Sequence, residues 1–305
     1  MKKETGGVII NPSCENHCVF CRRVPKASRT ELEKQEINVF KCLLEFKQKG
    51  LGRLEISGAD PIEYGGILRL IKYAKNIGFG FVQLSSHGNK LGEEDFLKKL
   101  IKTGVDKLRV PVYGSNKEIH DLITRRKGSF DSVLKGLRTI KKLAPAIEIQ
   151  VSNLIMEQNK NDLADWLRLM DELAIVDYYL SIPFRKKVEG NNHEYYIPIK
   201  DLPPYVKKAA EYSRKHGKTV RFMEIPFCVF GEIKNNIINN CLPPDHGKYC
   251  QPERKLKTKI KDLPIYRLKS KAAICKKCKA DSFCDGFAKS DLEEFGTGKL
   301  KAILK

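Results

Sequence analysis

GVIINPSCENHCVFC, Gly7–Cys21, sets a β-branched run directly ahead of three cysteines spaced CxxxCxxC. The run Gly7–Asn11 reads as a strand, and Cys14, Cys18 and Cys21 fall in the loop that leaves it. Three soft thiolates this close in the chain converge on one centre where such a loop wraps around it, and zinc and an iron–sulfur cluster would both accept them. A structural zinc site wants four protein ligands, whereas three leave an open position, the mark of a centre that binds something else. The competing reading is a zinc knuckle, with or without His17 as fourth ligand.

Outward from this strand the chain alternates. β-branched stretches recur at Arg53–Ser57, Phe81–Ser85, Lys107–Val112, Ile147–Leu154 and Val176–Ile182, with helical periodicity between them. Thr30 and Glu33 make a capping-box signature ahead of a stripe at Ile37, Phe40 and Leu44. Further stripes run through Ile67, Leu70, Ile71 and Ala74, then Phe96, Leu97, Leu100 and Ile101. Ser129 is the expected cap of a helix whose inner face is Val133, Leu134, Leu137 and Ile140, and Leu163, Trp166, Leu167, Met170 and Leu173 complete another. Short strands read as largely apolar on both faces suit a parallel sheet covered by helices. Six strand–helix alternations predict an α/β fold, a partial (β/α)6 TIM-type barrel, whose active site gathers at the carboxyl ends of the strands.

Past Ile199 the texture changes. A basic helix over Tyr205–His216 and the apolar stretch VRFMEIPFCVF (Val220–Phe230) give way, beyond Glu232, to Asn, Pro, Lys and cysteine. Such a segment has too few apolar residues for its own core, and metal sites supply the missing stabilisation in loop-rich regions of this kind. The reading is therefore a barrel over residues 1–217 and a small cysteine-rich metal-cluster domain over 218–305.

Composition bounds the rest. The 305 residues include 57 Lys and Arg against 37 Asp and Glu, a net charge of +20 that suits RNA, an acidic peptide or a phosphorylated substrate, or else a lysine-rich surface with no partner meaning. The densest basic run spans Arg254–Lys271. MKKETGGVII turns polar after two lysines, and about eighteen consecutive apolar residues occur nowhere, so neither a signal peptide nor a membrane span is expected. That implies a reducing cytoplasm, where ten cysteines read as metal ligands or reactive thiols rather than a disulfide framework. Cys42, inside the first helix, reads as a buried structural thiol.

The triplet after a first strand, with Phe20 before its last cysteine, resembles the hallmark of the radical S-adenosylmethionine (SAM) superfamily, over roughly residues 6–185. The resemblance implies that Cys14, Cys18 and Cys21 hold three irons of a four-iron, four-sulfur cluster whose fourth iron chelates SAM. One electron then breaks the sulfonium bond, giving methionine and a 5′-deoxyadenosyl radical that takes hydrogen from substrate. SGADP, Ser57–Pro61, resembles the family turn that meets the SAM amino group; Gly58 and Pro61 match, while Ala59 and Asp60 depart. Ser85, Ser86, His87 and Asn89 stand where relatives contact the ribose or carboxylate, and Asn153 matches a position facing the SAM pocket. Pro111 replaces a serine common in relatives.

CKKCKADSFCDGF, with Cys275, Cys278 and Cys284, resembles the SPASM and shortened twitch extensions that bind auxiliary clusters. No cysteine follows Cys284, which implies one auxiliary cluster; Cys228 is the expected fourth ligand, with Cys241 and Cys250 as alternatives and zinc as the competing metal. Such extensions most often accompany modification of a peptide or protein side chain, with ferredoxin or flavodoxin as electron donor. The alternatives are radical chemistry on RNA or a small metabolite and, from another class, a non-enzymatic metal-bound nucleic-acid-binding protein. No residue identifies itself as a catalytic acid, radical carrier or crosslinking thiol.

Overall fold

The computed structural model describes residues 5–10, 13–21, 28–183, 194–231, 237–239, 248–251, 256–259 and 269–304. They fall into two compact units, one of residues 1–112, 124–151 and 244–262, the other of 113–123, 152–243 and 263–305. Strands β1 (Thr5–Ile10), β2 (Arg53–Gly58), β3 (Phe81–Ser85), β4 (Lys107–Pro111), β5 (Glu148–Leu154) and β6 (Asp177–Ser181) lie where the sequence predicts them. Helices α1 (Arg29–Gln48), α2 (Ile67–Asn76), α3 (Glu94–Ile101), α4 (Lys117–Thr124), α5 (Ser129–Leu143), α6 (Leu163–Glu172) and α7 (Pro203–Lys215) fill the intervals.

In the first unit β1 pairs parallel with β2, β2 with β3, and β3 with β4. In the second, β6 pairs parallel with β7 (Val220–Phe222), just past residue 217, and β7 with β8 (Ile237–Asn239). Within each unit these successive strands are therefore neighbours in the sheet, and a helix lies in each connection from β1 to β7. This is an α/β fold of the partial TIM-barrel type. Among the described residues no helix is long and apolar enough to cross a membrane.

The strands are not apolar on both faces. Leu54, Ile56, Val82, Leu84, Leu108 and Val110 are buried on one side, while Glu55, Gln83 and Arg109 alternate with them. Arg109 donates from Nε to Gln150 Oε1 at 2.7 Å and from NH1 to Glu55 Oε1 at 2.7 Å, which binds β2, β4 and β5 across that polar face. A closed barrel core would be filled by branched apolar side chains; this face is satisfied by charge instead.

Two local expectations need correction. In α1 the buried stripe is Val39, Leu43 and Phe46, while Ile37 is 56% and Leu44 45% exposed. Both stripes obey three- and four-residue spacing, so periodicity left the facing ambiguous by about one residue. The helix also begins at Arg29, one residue before the expected cap Thr30. Gly128, at φ 81°, holds the N-cap position of α5; Ser129 begins the helix, its hydroxyl 2.7 Å from that of Thr124. The stripes of α2, α5 and α6 are buried as expected.

The described residues beyond Gly231 include strands that composition did not indicate. β9 (Lys248–Gln251) pairs parallel with β1, setting Cys250 opposite Val8, and β10 (Leu256–Lys259) pairs antiparallel with β9. In the second unit β11 (Lys269–Ser270) and β12 (Phe287–Ala288) form a small ladder that leads into α8 (Lys289–Phe295). Asp291 of α8, fully buried, accepts from Tyr196 Oη at 2.7 Å and from the Ile199 amide at 3.1 Å. That fastens the chain's last helix to the segment before α7.

Candidate active site

In the first unit, the loops leaving β1, β2 and β3 meet at the carboxyl ends of their strands. The β1 loop is pinned by the His17 amide, which donates to the Thr124 carbonyl at 2.8 Å, and by the ion pair of Glu15 with Arg126. The Cys21 amide closes a turn on the Cys18 carbonyl at 3.0 Å. Cys14 is half-buried, Cys18 buried, Cys21 exposed, and His17 points outward. Burial first, then the charges of Asp60, Cys21 and Glu63, pushes the Cys14 thiol up to about 12 against the pull of the Asn16 amide. Cys18 is likewise pushed up to about 12 by burial and by Cys21 and Cys14. Thiols so placed stay protonated unless a cationic centre compensates them, which a metal cluster does.

β2 ends at Gly58, whose φ of 144° suits glycine alone, and a Cβ there would sit 1.8 Å from the Ile10 carbonyl oxygen. The strand ends can approach this closely because the side chain is missing. Asp60, fully buried, caps the turn Pro61–Glu63 by accepting from the Ile62 amide at 3.4 Å, and it also accepts from the His87 amide at 3.3 Å. Desolvation raises its pKa, opposed chiefly by His87 and Ser86. The Ala59 carbonyl lies 2.7 Å from His87 Nε2. Ala59, Asp60, Ser86 and His87 therefore form one bonded group that ties the β2 loop to the β3 loop.

Beside this group lie buried polar atoms that have no hydrogen-bond partner among the described residues: Ser85 Oγ, His87 Nδ1 and Asn89 Oδ1. Buried atoms of this kind call for a ligand. Asn89 Nδ2 donates to Asn16 Oδ1 at 2.9 Å, so Asn16, buried between Cys14 and Cys18, joins the β1 loop to the β3 loop. The sequence reading missed Asn16; its position between two of the cysteines was the available signal. Phe20 is half-buried.

In the second unit, Asn153 is fully buried at the end of β5; its Oδ1 accepts from Asn159 Nδ2 at 3.0 Å, and its own Nδ2 has no partner. Asn159 also donates to the carbonyls of Tyr113 and Leu154, both at 2.8 Å, an ordering role that the polar loop after β5 did not disclose.

The same unit gathers Cys228, Cys275, Cys278 and Cys284 around one small cavity of about 20 Å³. Cys228 lies beyond β7: the strand stops at Phe222, Glu224 turns the chain at φ 65°, and the cysteine sits in the 3-10 turn Phe227–Val229. Burial, followed by Cys284, Cys275 and Cys278, pushes its thiol up to about 12. Phe227, Ala280 and Ile303 pack as a small core against Cys278 and Cys284. Lys271 stands at the rim, donating to Asp281 Oδ1 at 2.8 Å. Cys250 is held in β9, in the first unit, and Cys241 lies outside the described residues. Cys42, expected as a buried thiol, is half-buried and disulfide-bonded.

Among the described residues no three His, Cys, Asp or Glu side chains close tightly enough to hold a single metal ion. A four-iron cluster distributes its ligands over separate irons and asks less convergence of them. Soft thiols in threes and fours, with orphaned polar atoms beside the first set, fit such clusters.

Relatives agree with this chemistry. An AdoMet-dependent heme synthase of Methanosarcina barkeri is 27% identical over 173 residues, 56% of this chain and 48% of that protein. A probable GTP 3′,8-cyclase of Methanocaldococcus jannaschii is 24% identical over 208 residues, 67% and 66% of the two chains. The chain thus spans about half of the first relative's length and just under two thirds of the second's. Among solved structures, Streptococcus suis SuiB bound to its precursor peptide SuiA matches with a TM-score of 0.67 at 14% identity, covering 98% of this chain and 75% of that one, a likeness of fold. The Radical SAM superfamily model matches residues 8–173, from β1 through the last helical stripe of the sheet's fifth connection, and by that match the chain belongs to the radical SAM superfamily, enzymes that work with a four-iron, four-sulfur cluster and SAM.

Proposed function

We propose that this enzyme modifies a peptide or protein side chain and carries one auxiliary cluster besides its SAM cluster. The observation that carries the proposal is the gathering of Cys228, Cys275, Cys278 and Cys284 around one cavity. In this superfamily, extensions with such cysteines accompany peptide-modifying members, and SuiB, alike in fold over nearly the whole chain, was solved with a precursor peptide. All four cysteines lie within residues 218–305, which is the sense in which that region is an auxiliary-cluster domain appended to a core over 1–217. Membership in an enzyme family sets aside the non-enzymatic nucleic-acid-binding reading.

Cys14, Cys18 and Cys21 would hold the first cluster. When bound, cluster and SAM supply homolytic chemistry that removes a hydrogen atom from substrate. Ser85 Oγ, His87 Nδ1 and Asn89 Oδ1 offer their free valences to the polar groups of SAM. Asp60 holds the β2 and β3 loops in register and is a positioning residue, with Gly58, Ala59, Pro61 and Ser86 shaping the same turn. Asn153 and Phe20 complete the contacts that the family resemblance implies. Reduced ferredoxin or flavodoxin, in a reducing cytoplasm, is the expected electron source.

The curated relatives favour a second reading, since the names of both point to small molecules. Anaerobically reconstituted enzyme should cleave SAM slowly alone and several-fold faster with its substrate. Stimulation by a short peptide encoded beside this gene, with a mass change in that peptide, supports the proposal. Stimulation by GTP or a porphyrin, and by no peptide, replaces it with the second reading.

A further inference from the structure

The outer face of the first unit carries a surface that the chemistry above does not use. Lys72, Lys99 and Lys102, all exposed, line an open groove of about 480 Å³ between α2 and α3, together with Arg69, Leu68, Tyr73 and Asn76. Among the described residues no carboxylate lines it. Arg69 is paired with Glu36 of α1, while Lys75 and Lys98 beside the groove have their own partners in Asp106 and Glu94. Among the described residues Lys72, Lys99 and Lys102 have none, so there the groove holds three uncompensated positive charges.

Its wall continues into apolar surface. Tyr73 takes the edge of the Phe40 ring, centroids 4.7 Å apart at 86°. Ile37 and Leu44 flank Phe40 at three and four residues, so they share its side of α1, and they are 56% and 45% exposed. Two large aliphatic side chains left in water next to an aromatic and three free lysines resemble the apolar centre and charged rim of a protein interface. Nucleic acid would use the lysines and the Tyr73 face; it has no use for exposed aliphatic side chains on the neighbouring helix.

We infer that the α1–α2–α3 face docks an acidic protein segment with an apolar stripe, its carboxylates on Lys72, Lys99 and Lys102 and its apolar side chains on Ile37, Phe40 and Leu44. The inference is independent of the substrate proposed above.

The test uses the whole enzyme and a fluorescein-labelled 20-residue helical peptide with Leu at positions i, i+3, i+4 and i+7 and Glu elsewhere. A Leu-free poly-Glu peptide and a 20-mer of oligouridylate serve as controls. The amphipathic peptide should bind at least about tenfold more tightly than poly-Glu. I37S/L44S should remove that advantage, and K72E/K99E/K102E should abolish binding of both peptides. Circular dichroism and basal SAM cleavage should stay unchanged in both variants. Equal affinity for poly-Glu, tighter binding of oligouridylate, or a Kd indifferent to I37S/L44S would overturn the inference in favour of a general polyanion surface.

Discussion

Gly58 shows how much of this site rests on one missing atom. Its neighbour Asp60 ties two loops together, but the tie exists because β2 can end against the Ile10 carbonyl. Gly58→Ala adds a Cβ that meets that oxygen at 1.8 Å in a backbone conformation closed to alanine, and it should cost at least ~3 kcal/mol, read as a lowered urea midpoint. The glycine was legible in the sequence as part of SGADP; its reason was not, because the clash lies with a strand some fifty residues earlier. The cysteines were legible for the opposite reason. Thiols in CxxxCxxC and CxxCx5C carry their purpose in local spacing, whereas Asn16 and Asn159 act through partners that only the folded chain supplies.

Among elements, the strands were read well because parallel strands are short, β-branched and set off by helices. Helix facing was less secure. In α1, charged residues lie on every side, and two adjacent stripes satisfy the same spacing; burial then selected Val39, Leu43 and Phe46 over Ile37 and Leu44. Neighbouring leucines now make a clean comparison. Leu43→Ala should destabilise by about 3 kcal/mol, as a fully buried side chain does, whereas Leu44→Ala should stay within ~1 kcal/mol, both measured by chemical denaturation. The elements that escaped sequence reading include the helices α4 and α8 and the short strands β8 to β12, two to four residues each. Strands of so few residues leave no periodicity to read, and β9 finds its parallel partner, β1, far back in the chain.

Across the whole molecule, the two cysteine sets are separable by metal content. Wild-type enzyme, reconstituted without oxygen, should carry about eight irons, and Cys14/Cys18/Cys21→Ala about four, with SAM cleavage lost. Cys228→Ala should lower the iron content towards four while SAM cleavage persists; Cys250→Ala should leave it near eight. The opposite result for the last pair would move the fourth ligand into β9. That strand has a further consequence, for how the chain is made. β1 is synthesised about 240 residues ahead of the partner on its outer side, where Val8 meets Cys250. Until then the nascent sheet exposes one row of unpaired amides and carbonyls, open to pairing with a neighbouring chain. Once β9 docks, β10 becomes the border strand, and two of its four residues are lysines, the side chain that best discourages a stranger from adding on. The finished protein is thus guarded at an edge where its unfinished form is most prone to aggregate.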